Sequence, residues 1–81
     1  MTKSIKEAIY KENNVIRTRL NLNKSNGLYQ LEVTKYDKEG YYQPSESFTV
    51  AEYGELDNAM GYFNELIESN KQLELTINNL A

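Results

Sequence analysis

Side chains that could perform acid–base or metal chemistry are few in this chain. It contains no histidine and no cysteine, which removes the commonest general base, the commonest metal ligand and every thiol–imidazole or hydroxyl–imidazole pair. Carboxylates occur in close pairs, Asp37 with Glu39 and Glu65 with Glu68. Nothing in the pattern predicts the burial that a catalytic carboxylic acid needs. We therefore expect no enzyme activity, no cofactor and no metal site.

Length and composition predict one small domain. The chain has 81 residues, so we expect a single domain over 1–81 with one modest core. No apolar run approaches the roughly 18 residues of a membrane span, and the first residues lack the apolar stretch of a signal peptide. Without cysteine, the expected location is cytoplasmic. Asn, Lys, Tyr and Ile are abundant, a bias that AT-rich codons produce, which suggests a low-GC bacterium, phage or mobile element.

Charge is distributed unevenly along the chain, whose net charge is −3. Residues 1–45 carry eight Lys and Arg against five Asp and Glu, whereas residues 46–81 carry one Lys against seven acids. Such asymmetry can steer partners. The alternative is that two solvated surfaces of opposite charge attract each other within the fold.

One β-hairpin can be derived with its register. The dipeptide Asn26-Gly27 lies between two alternating runs, 15–24 and 28–36. Asn-Gly favours a two-residue turn because both residues tolerate positive φ. The register that follows pairs Leu22 with Leu31 and Leu20 with Val33 on one face, and Asn21 with Glu32 and Arg19 with Thr34 on the other. Turn chemistry and apolar pattern agree, which predicts a sheet with one buried and one solvated face.

The N-terminal segment predicts a short helix. Ser4 and Glu7 fit a capping box, and Ile5, Ala8 and Ile9 follow at the spacing of a helical stripe. We expect this helix to cover residues 5–12 and to end at Asn13-Asn14.

A third strand is predicted over 41–50, after a turn at 37–40. Pro44 cannot donate to a ladder, so this strand should lie at an edge or be bulged there. With a four-residue loop Tyr42, Phe48 and Val50 point inward, whereas a three-residue loop with a bulge turns Phe48 and Val50 outward. Burial favours the first arrangement.

The clearest helix covers residues 55–69, where apolar side chains recur at a spacing of three and four. This stripe consists of Leu56, Ala59, Met60, Phe63, Leu66 and Ile67. The predicted fold is therefore α+β, in the order αβββα: a short N-terminal helix, a three-stranded antiparallel meander and a C-terminal helix packed on one sheet face. Leu31 and Phe63 should meet in the core.

Residues 70–81 fit two structures. A heptad seam that continues the helix would leave Leu73, Ile77 and Leu80 exposed and predicts a homodimer. The alternation of Leu73, Leu75 and Ile77 with polar residues predicts a strand instead, added to the sheet of a monomer. The helix is the preferred alternative.

Two surfaces are candidate binding sites. The outer face of the predicted sheet offers cations, amides and aromatic rings, which suit a protein or a nucleic acid. Its members are Arg17, Arg19, Gln30, Thr34, Tyr36 and Tyr41. An acidic stripe on the 55–69 helix, formed by Asp57, Glu65 and Glu68, could imitate a row of phosphates. For both surfaces, an ordinary solvated face is the alternative.

Two families share parts of this pattern. The pattern begins with two glycine-containing turns, Ser25-Asn26-Gly27-Leu28-Tyr29 and Tyr36-Asp37-Lys38-Glu39-Gly40-Tyr41-Tyr42. It continues with apolar residues at Phe48, Leu56, Ala59, Phe63 and Leu66. Over residues 15–69 this arrangement resembles the arm-type N-terminal DNA-binding domain of phage and transposon integrases. That family presents the outer sheet face to the major groove, so the resemblance implies DNA binding. Its strands are usually rich in Lys and Arg, whereas the third strand here carries Glu46 and no cation.

The order of elements, the small size and the acidic composition also resemble small anti-CRISPR proteins of Firmicutes phages. These bind a host nuclease where DNA would bind, so the resemblance implies a protein partner. With the missing catalytic side chains, it favours a non-enzymatic protein-binding module, encoded by a phage or mobile element, that inhibits or modulates a host nucleic-acid-handling protein. A DNA-binding module using the outer sheet face is the alternative. We expect no membrane partner.

Overall fold

The computed structural model describes residues 2–36, 44–69 and 74–80. Its elements are β1 (Thr2–Glu12), β2 (Val15–Ser25), β3 (Leu28–Tyr36), β4 (Pro44–Tyr53), α1 (Leu56–Glu68) and β5 (Glu74–Asn79). The strands form one antiparallel sheet in the order β4-β3-β2-β1-β5. The predicted αβββα fold is therefore wrong, because the described sheet has five strands and the N-terminal segment is one of them.

The turn at Asn13-Asn14 explains why residues 5–12 form a strand. Asn13 and Asn14 have φ values of 53° and 64°, the left-handed values that both central residues of a type I′ hairpin turn adopt. They connect β1 to β2 and do not end a helix. Once connected this way, β1 pairs with β2 from one end to the other, and this pairing overrides the local capping preference that predicted a helix.

The β2–β3 hairpin confirms the register derived from the sequence. Asn26 and Gly27 have φ values of 52° and 79° and form its two-residue turn. The strand pairs are Arg19–Thr34, Leu20–Val33, Asn21–Glu32, Leu22–Leu31 and Ser25–Leu28. This hairpin fixes which side chains share a face in the centre of the sheet.

Strand β4 lies at one edge of the sheet, as Pro44 predicted. Its pairing with β3 shifts between Lys35 and Tyr36, beside Pro44, and again between Leu31 and Glu32. The second shift leaves Val50 as the extra residue, and Val50 packs against the core. Phe48 lies opposite Val33 but remains 38% exposed, so its predicted burial is only partial. Tyr42 and the loop alternatives at 37–40 lie outside the described residues.

The tail is a strand where it is described. Residues 74–79 form β5, which pairs antiparallel with β1 at the other edge of the sheet. The preferred prediction, a helix continued into a heptad seam, is wrong, and the alternation of Leu75 and Ile77 gave the correct structure. Leu73 lies outside the described residues. Pairing decides the outcome because β1, once it is a strand, offers an edge with free backbone groups.

One side of the sheet, here called the inner face, carries the core. Helix α1 packs over β2, β3 and β4, and its buried residues are Ala59 and Phe63. The fully or nearly fully buried side chains are Ala8, Tyr10, Leu20, Leu22, Leu31, Ala59 and Phe63. Leu31 and Phe63 belong to this cluster, which confirms their predicted burial. The opposite side, here called the outer face, has no helix against it among the described residues.

Candidate functional site

The outer face is a grid of polar side chains whose positions follow from strand pairing. Residues directly opposite each other in an antiparallel sheet point to the same face. Leu20 and Leu22 point inward, so Arg19 and Asn21 point outward. From β5 through β1, β2 and β3 to β4, one row is Thr76, Ile9, Arg19, Thr34 and Ser47, and the next is Asn78, Glu7, Asn21, Glu32 and Thr49. Most of these side chains can accept or donate a hydrogen bond.

Glu7 joins three strands on this face. Its Oε1 accepts a hydrogen bond from Asn78 Nδ2 at 2.9 Å. Its Oε2 accepts one from Asn21 Nδ2 at 3.4 Å, and the same amide group donates to Ser4 Oγ at 3.3 Å. The carboxylate therefore holds amides of β5 and β2 in fixed positions, and its own charge is partly satisfied.

A second network crosses β3 and β4. Gln30 Nε2 donates to Glu52 Oε2 at 2.8 Å. The hydroxyls of Thr34 and Ser47 lie 3.2 Å apart, and Ser47 Oγ also donates to Glu32 Oε1 at 3.2 Å. Both carboxylates of this half are thus engaged with neutral donors.

Arg19 lies between the two networks. Its guanidinium carbon is 5.9 Å from the centre of the Tyr36 ring, within the range of a cation–π contact. Its Nε is buried, and it has no hydrogen-bond partner among the described residues. Ile9 and Thr34 lie directly opposite it on the neighbouring strands. Arg19 lies beside an aliphatic and an aromatic side chain. Its guanidinium can donate hydrogen bonds to the carboxylate of a partner.

The structure brings most of the predicted binding face together. Arg19, Gln30 and Thr34 lie on the outer face, and Tyr36 joins them through its contact with Arg19. Arg17 lies at an irregularity between β1 and β2, where its Nε is 3.7 Å from Glu12 Oε2. Tyr41 lies outside the described residues. Glu7, Ile9 and Asn78 are members that the sequence analysis did not identify, because they belong to strands it did not place.

The predicted acidic stripe lies on the other side of the molecule. Asp57, Glu65 and Glu68 are exposed residues of α1, and α1 packs on the inner face through Ala59 and Phe63. Asp57 is in the first turn of α1, where the helix dipole favours a negative charge. The stripe and the outer face are therefore separate surfaces.

One further group stands out on the inner face. Tyr10 is only 2% exposed, and its hydroxyl has no hydrogen-bond partner among the described residues. Burial raises the pKa of this phenol above its usual value of 10.0. Tyr10 lines an open cavity of about 330 Å³ together with Thr18, Leu20, Val33, Lys35 and Leu66. The hydroxyl could donate or accept a hydrogen bond.

The chain matches no protein-family model, no curated protein and no solved structure. Within the described parts of the chain, no helix is both long enough and apolar enough to cross a membrane.

Proposed function

We propose that this protein is a non-enzymatic binding module and that its outer face receives a segment of another protein that places one carboxylate on Arg19. The observation that supports this most directly is Arg19, a partly exposed cation in the middle of that face whose buried Nε has no hydrogen-bond partner among the described residues. A buried donor without an acceptor costs about 1–3 kcal/mol. When the side chain turns toward a partner's carboxylate, its guanidinium can donate two parallel hydrogen bonds and that cost is removed.

The neighbours of Arg19 suit a protein partner. Ile9 offers aliphatic surface and Tyr36 an aromatic ring, and both are partly exposed. Arg and Tyr are enriched among the residues that dominate binding energy at protein interfaces. The partner segment should therefore place an Asp or Glu on Arg19 and an apolar side chain beside it.

The hydrogen-bond networks favour binding because they fix the surrounding side chains in advance. Asn21, Gln30 and Ser47 already donate to neighbouring carboxylates. Less conformational entropy is then lost when a partner binds. Apart from the Arg19 side chain, the surface needs little rearrangement before contact.

The charge of the outer face argues against the alternative, duplex DNA. Glu7 and Glu32 lie in the row next to Arg19, and Glu52 lies farther along the same face. One guanidinium among these carboxylates can bind a single carboxylate of a partner but not a row of phosphates. Phosphate backbones need several cations in contact, and that electrostatic term supplies most non-specific affinity. A phage or mobile-element origin and action on a host nucleic-acid-handling protein stay predictions from composition and resemblance.

A selection experiment tests the proposal. Random peptides displayed on phage are selected on the immobilised protein, and the enriched peptides are titrated against the native chain, Arg19→Ala and Arg19→Lys. We expect the enriched peptides to carry Asp or Glu and to lose about 30-fold or more in affinity for both variants. Lys24→Ala removes one positive charge from an exposed inner-face position and should leave binding unchanged.

Three outcomes would contradict this proposal. Enriched peptides without acidic residues, or equal binding to the native chain and Arg19→Ala, would remove Arg19 from the site. Micromolar binding of duplex DNA at about 150 mM salt, lost when Arg17 and Arg19 are both replaced by Ala, would favour the DNA-binding alternative.

A further inference from the structure

The two edge strands of the sheet differ in how they resist pairing with another chain. An edge strand presents unpaired N–H and C=O groups. In many proteins Pro, Lys or a bulge at the edge prevents another strand from pairing with it. Strand β4 has Pro44 and two register shifts. Strand β5 reads Glu-Leu-Thr-Ile-Asn-Asn and pairs with β1 without a shift from Lys11–Glu74 to Lys6–Asn79. It is therefore a regular edge without Pro or Lys.

The direction of the free backbone groups on β5 can be derived. The amide of Leu80 donates to the carbonyl of Ile5 at 2.8 Å, so Leu80 faces β1. Residues in an antiparallel strand alternate between facing one neighbour and the other. The N–H and C=O groups of Leu75, Ile77 and Asn79 therefore point away from β1, along an edge against which no other strand is described.

The side chains of this edge are unusually apolar for an exposed position. Leu75 and Ile77 point to the inner face, since they lie opposite Tyr10 and Ala8. They are nevertheless 36% and 43% exposed. Apolar side chains and free backbone groups thus coincide on one strand.

The geometry points to a second copy of this chain as the occupant of that edge. The two β5 strands would run antiparallel about a twofold axis, with Leu75 of one copy opposite Ile77 of the other and Thr76 opposite Thr76. In this register the outward-pointing N–H and C=O groups of Leu75 and Ile77 pair across the axis, and the inner faces of both sheets lie on the same side. Closed twofold symmetry is also the commonest form of self-association.

The chemistry of the strand fits this register. Apolar Leu75 meets apolar Ile77, which reduces the exposure of both. Glu74 meets Asn78 and so avoids another carboxylate, and like charges directly opposite are destabilising. The contact is short, so we expect weak association with a dissociation constant between about 10 μM and 1 mM. The outer faces of the two copies would then form one continuous surface.

Cysteine cross-linking tests the register directly, because the chain has no cysteine of its own. In the proposed pair Thr76 opposes itself at a position without direct hydrogen bonds, where Cα atoms are about 4.5 Å apart and a disulfide can form. We expect Thr76→Cys to form a disulfide-linked dimer at least about tenfold faster than Thr49→Cys under mild oxidation. Thr49 is the matched control, an exposed outer-face threonine on the β4 edge.

Sedimentation of the native chain and Ile77→Pro gives a second, independent measurement. The amide of Ile77 faces the free edge, so proline there removes an edge donor without breaking a β1–β5 hydrogen bond. The native chain should shift from monomer to dimer as its concentration rises to about 500 μM, and Ile77→Pro should remain a monomer. Circular dichroism checks that the variant is folded, and if it is not, Ile77→Lys replaces it.

Three outcomes would overturn the dimer. These are a native chain that stays monomeric at the highest concentration, equal cross-linking of Thr76→Cys and Thr49→Cys, and a dimer that both Ile77 variants leave intact. Arg19→Ala should leave the dimer unchanged, because Arg19 lies on the outer face of an inner strand. The peptide-binding proposal and the dimer can thus fail separately.

Discussion

The same strands supply both faces of the sheet, yet the two faces differ in how their side chains are accommodated. Apolar side chains of the inner face are buried, whereas polar side chains of the outer face form hydrogen bonds. On the inner face Leu22, Leu31 and Phe63 are completely buried and need no partner. On the outer face Arg19 keeps a buried donor without an acceptor, although amides and carboxylates around it are paired. The first arrangement stabilises the fold, whereas the second leaves one polar group unsatisfied at a cost of about 1–3 kcal/mol in stability.

This difference suggests how stability and binding are divided within the molecule. Adjacent residues of one strand, such as Leu20 and Arg19, point to opposite faces. A substitution on one face should therefore affect the free energy of unfolding, and a substitution on the other should affect affinity. Leu31→Ala with an outer-face control tests the stability side of this division, and substitutions at the β1–β2 turn and at Tyr10 follow in order of decreasing expected effect.

The largest effect is expected at Leu31, in the middle of the inner face. Leu31→Ala removes a fully buried side chain that belongs to the same cluster as Phe63. Loss of the buried methyl groups and the cavity left behind should lower the free energy of unfolding by about 2–5 kcal/mol. Urea unfolding followed by circular dichroism measures it. Arg19→Ala is the control on the outer face and should cost less than about 0.5 kcal/mol. Equal losses would mean that the faces do not divide stability in this way.

A smaller effect is expected at the turn that places β1 in the sheet. Asn14 has a φ of 64°, a left-handed value that costs a β-branched residue about 1–2 kcal/mol. Asn14→Val should lower the free energy of unfolding by this amount. Asn14→Gly should change it by less than about 0.5 kcal/mol, since glycine adopts positive φ without strain. If both variants unfold alike, the turn conformation is not the cause.

The two hairpins show how far sequence patterns alone predict this fold. In the β2–β3 hairpin the turn residues and the alternation of leucines agree, so the register could be derived. The β1–β2 turn has similar chemistry, but Ala8 and Tyr10 give a weak inward signal. Ile5 lies where the β1–β2 pairing shifts and Ile9 lies on the outer face, and together they imitate a helical stripe. A correct prediction needed the position of β1 in the sheet, which is a tertiary property.

Only part of the candidate site could be predicted, because the register of one hairpin could be derived from the sequence but the positions of β1 and β5 could not. Arg19, Gln30 and Thr34 belong to the hairpin whose register was known, and they lie on the predicted face. Glu7 and Asn78 are 71 residues apart in sequence and meet only because β5 pairs with β1. Whether residues 74–79 form a strand depended on an available edge, and the local alternation could not decide it.

The smallest effect is expected at Tyr10, whose hydroxyl is buried on the inner face. Its buried hydroxyl has no hydrogen-bond partner among the described residues, so Tyr10→Phe removes a polar atom that gains nothing from folding. At pH 7 the variant should be equally stable or more stable by up to about 1 kcal/mol.

The pH dependence of unfolding then distinguishes this hydroxyl from the other tyrosines. Burial raises the pKa of Tyr10 above 10.0 in the folded protein, so the folded state favours the neutral phenol. Its contribution to stability is complete below pH 10 and is lost as the pH rises through the folded pKa. The native chain should therefore lose more stability than Tyr10→Phe when urea unfolding is compared between pH 8 and about pH 11. Parallel losses in both proteins, or a variant destabilised by more than about 1 kcal/mol at pH 7, would mean that the Tyr10 hydroxyl is hydrogen-bonded in solution.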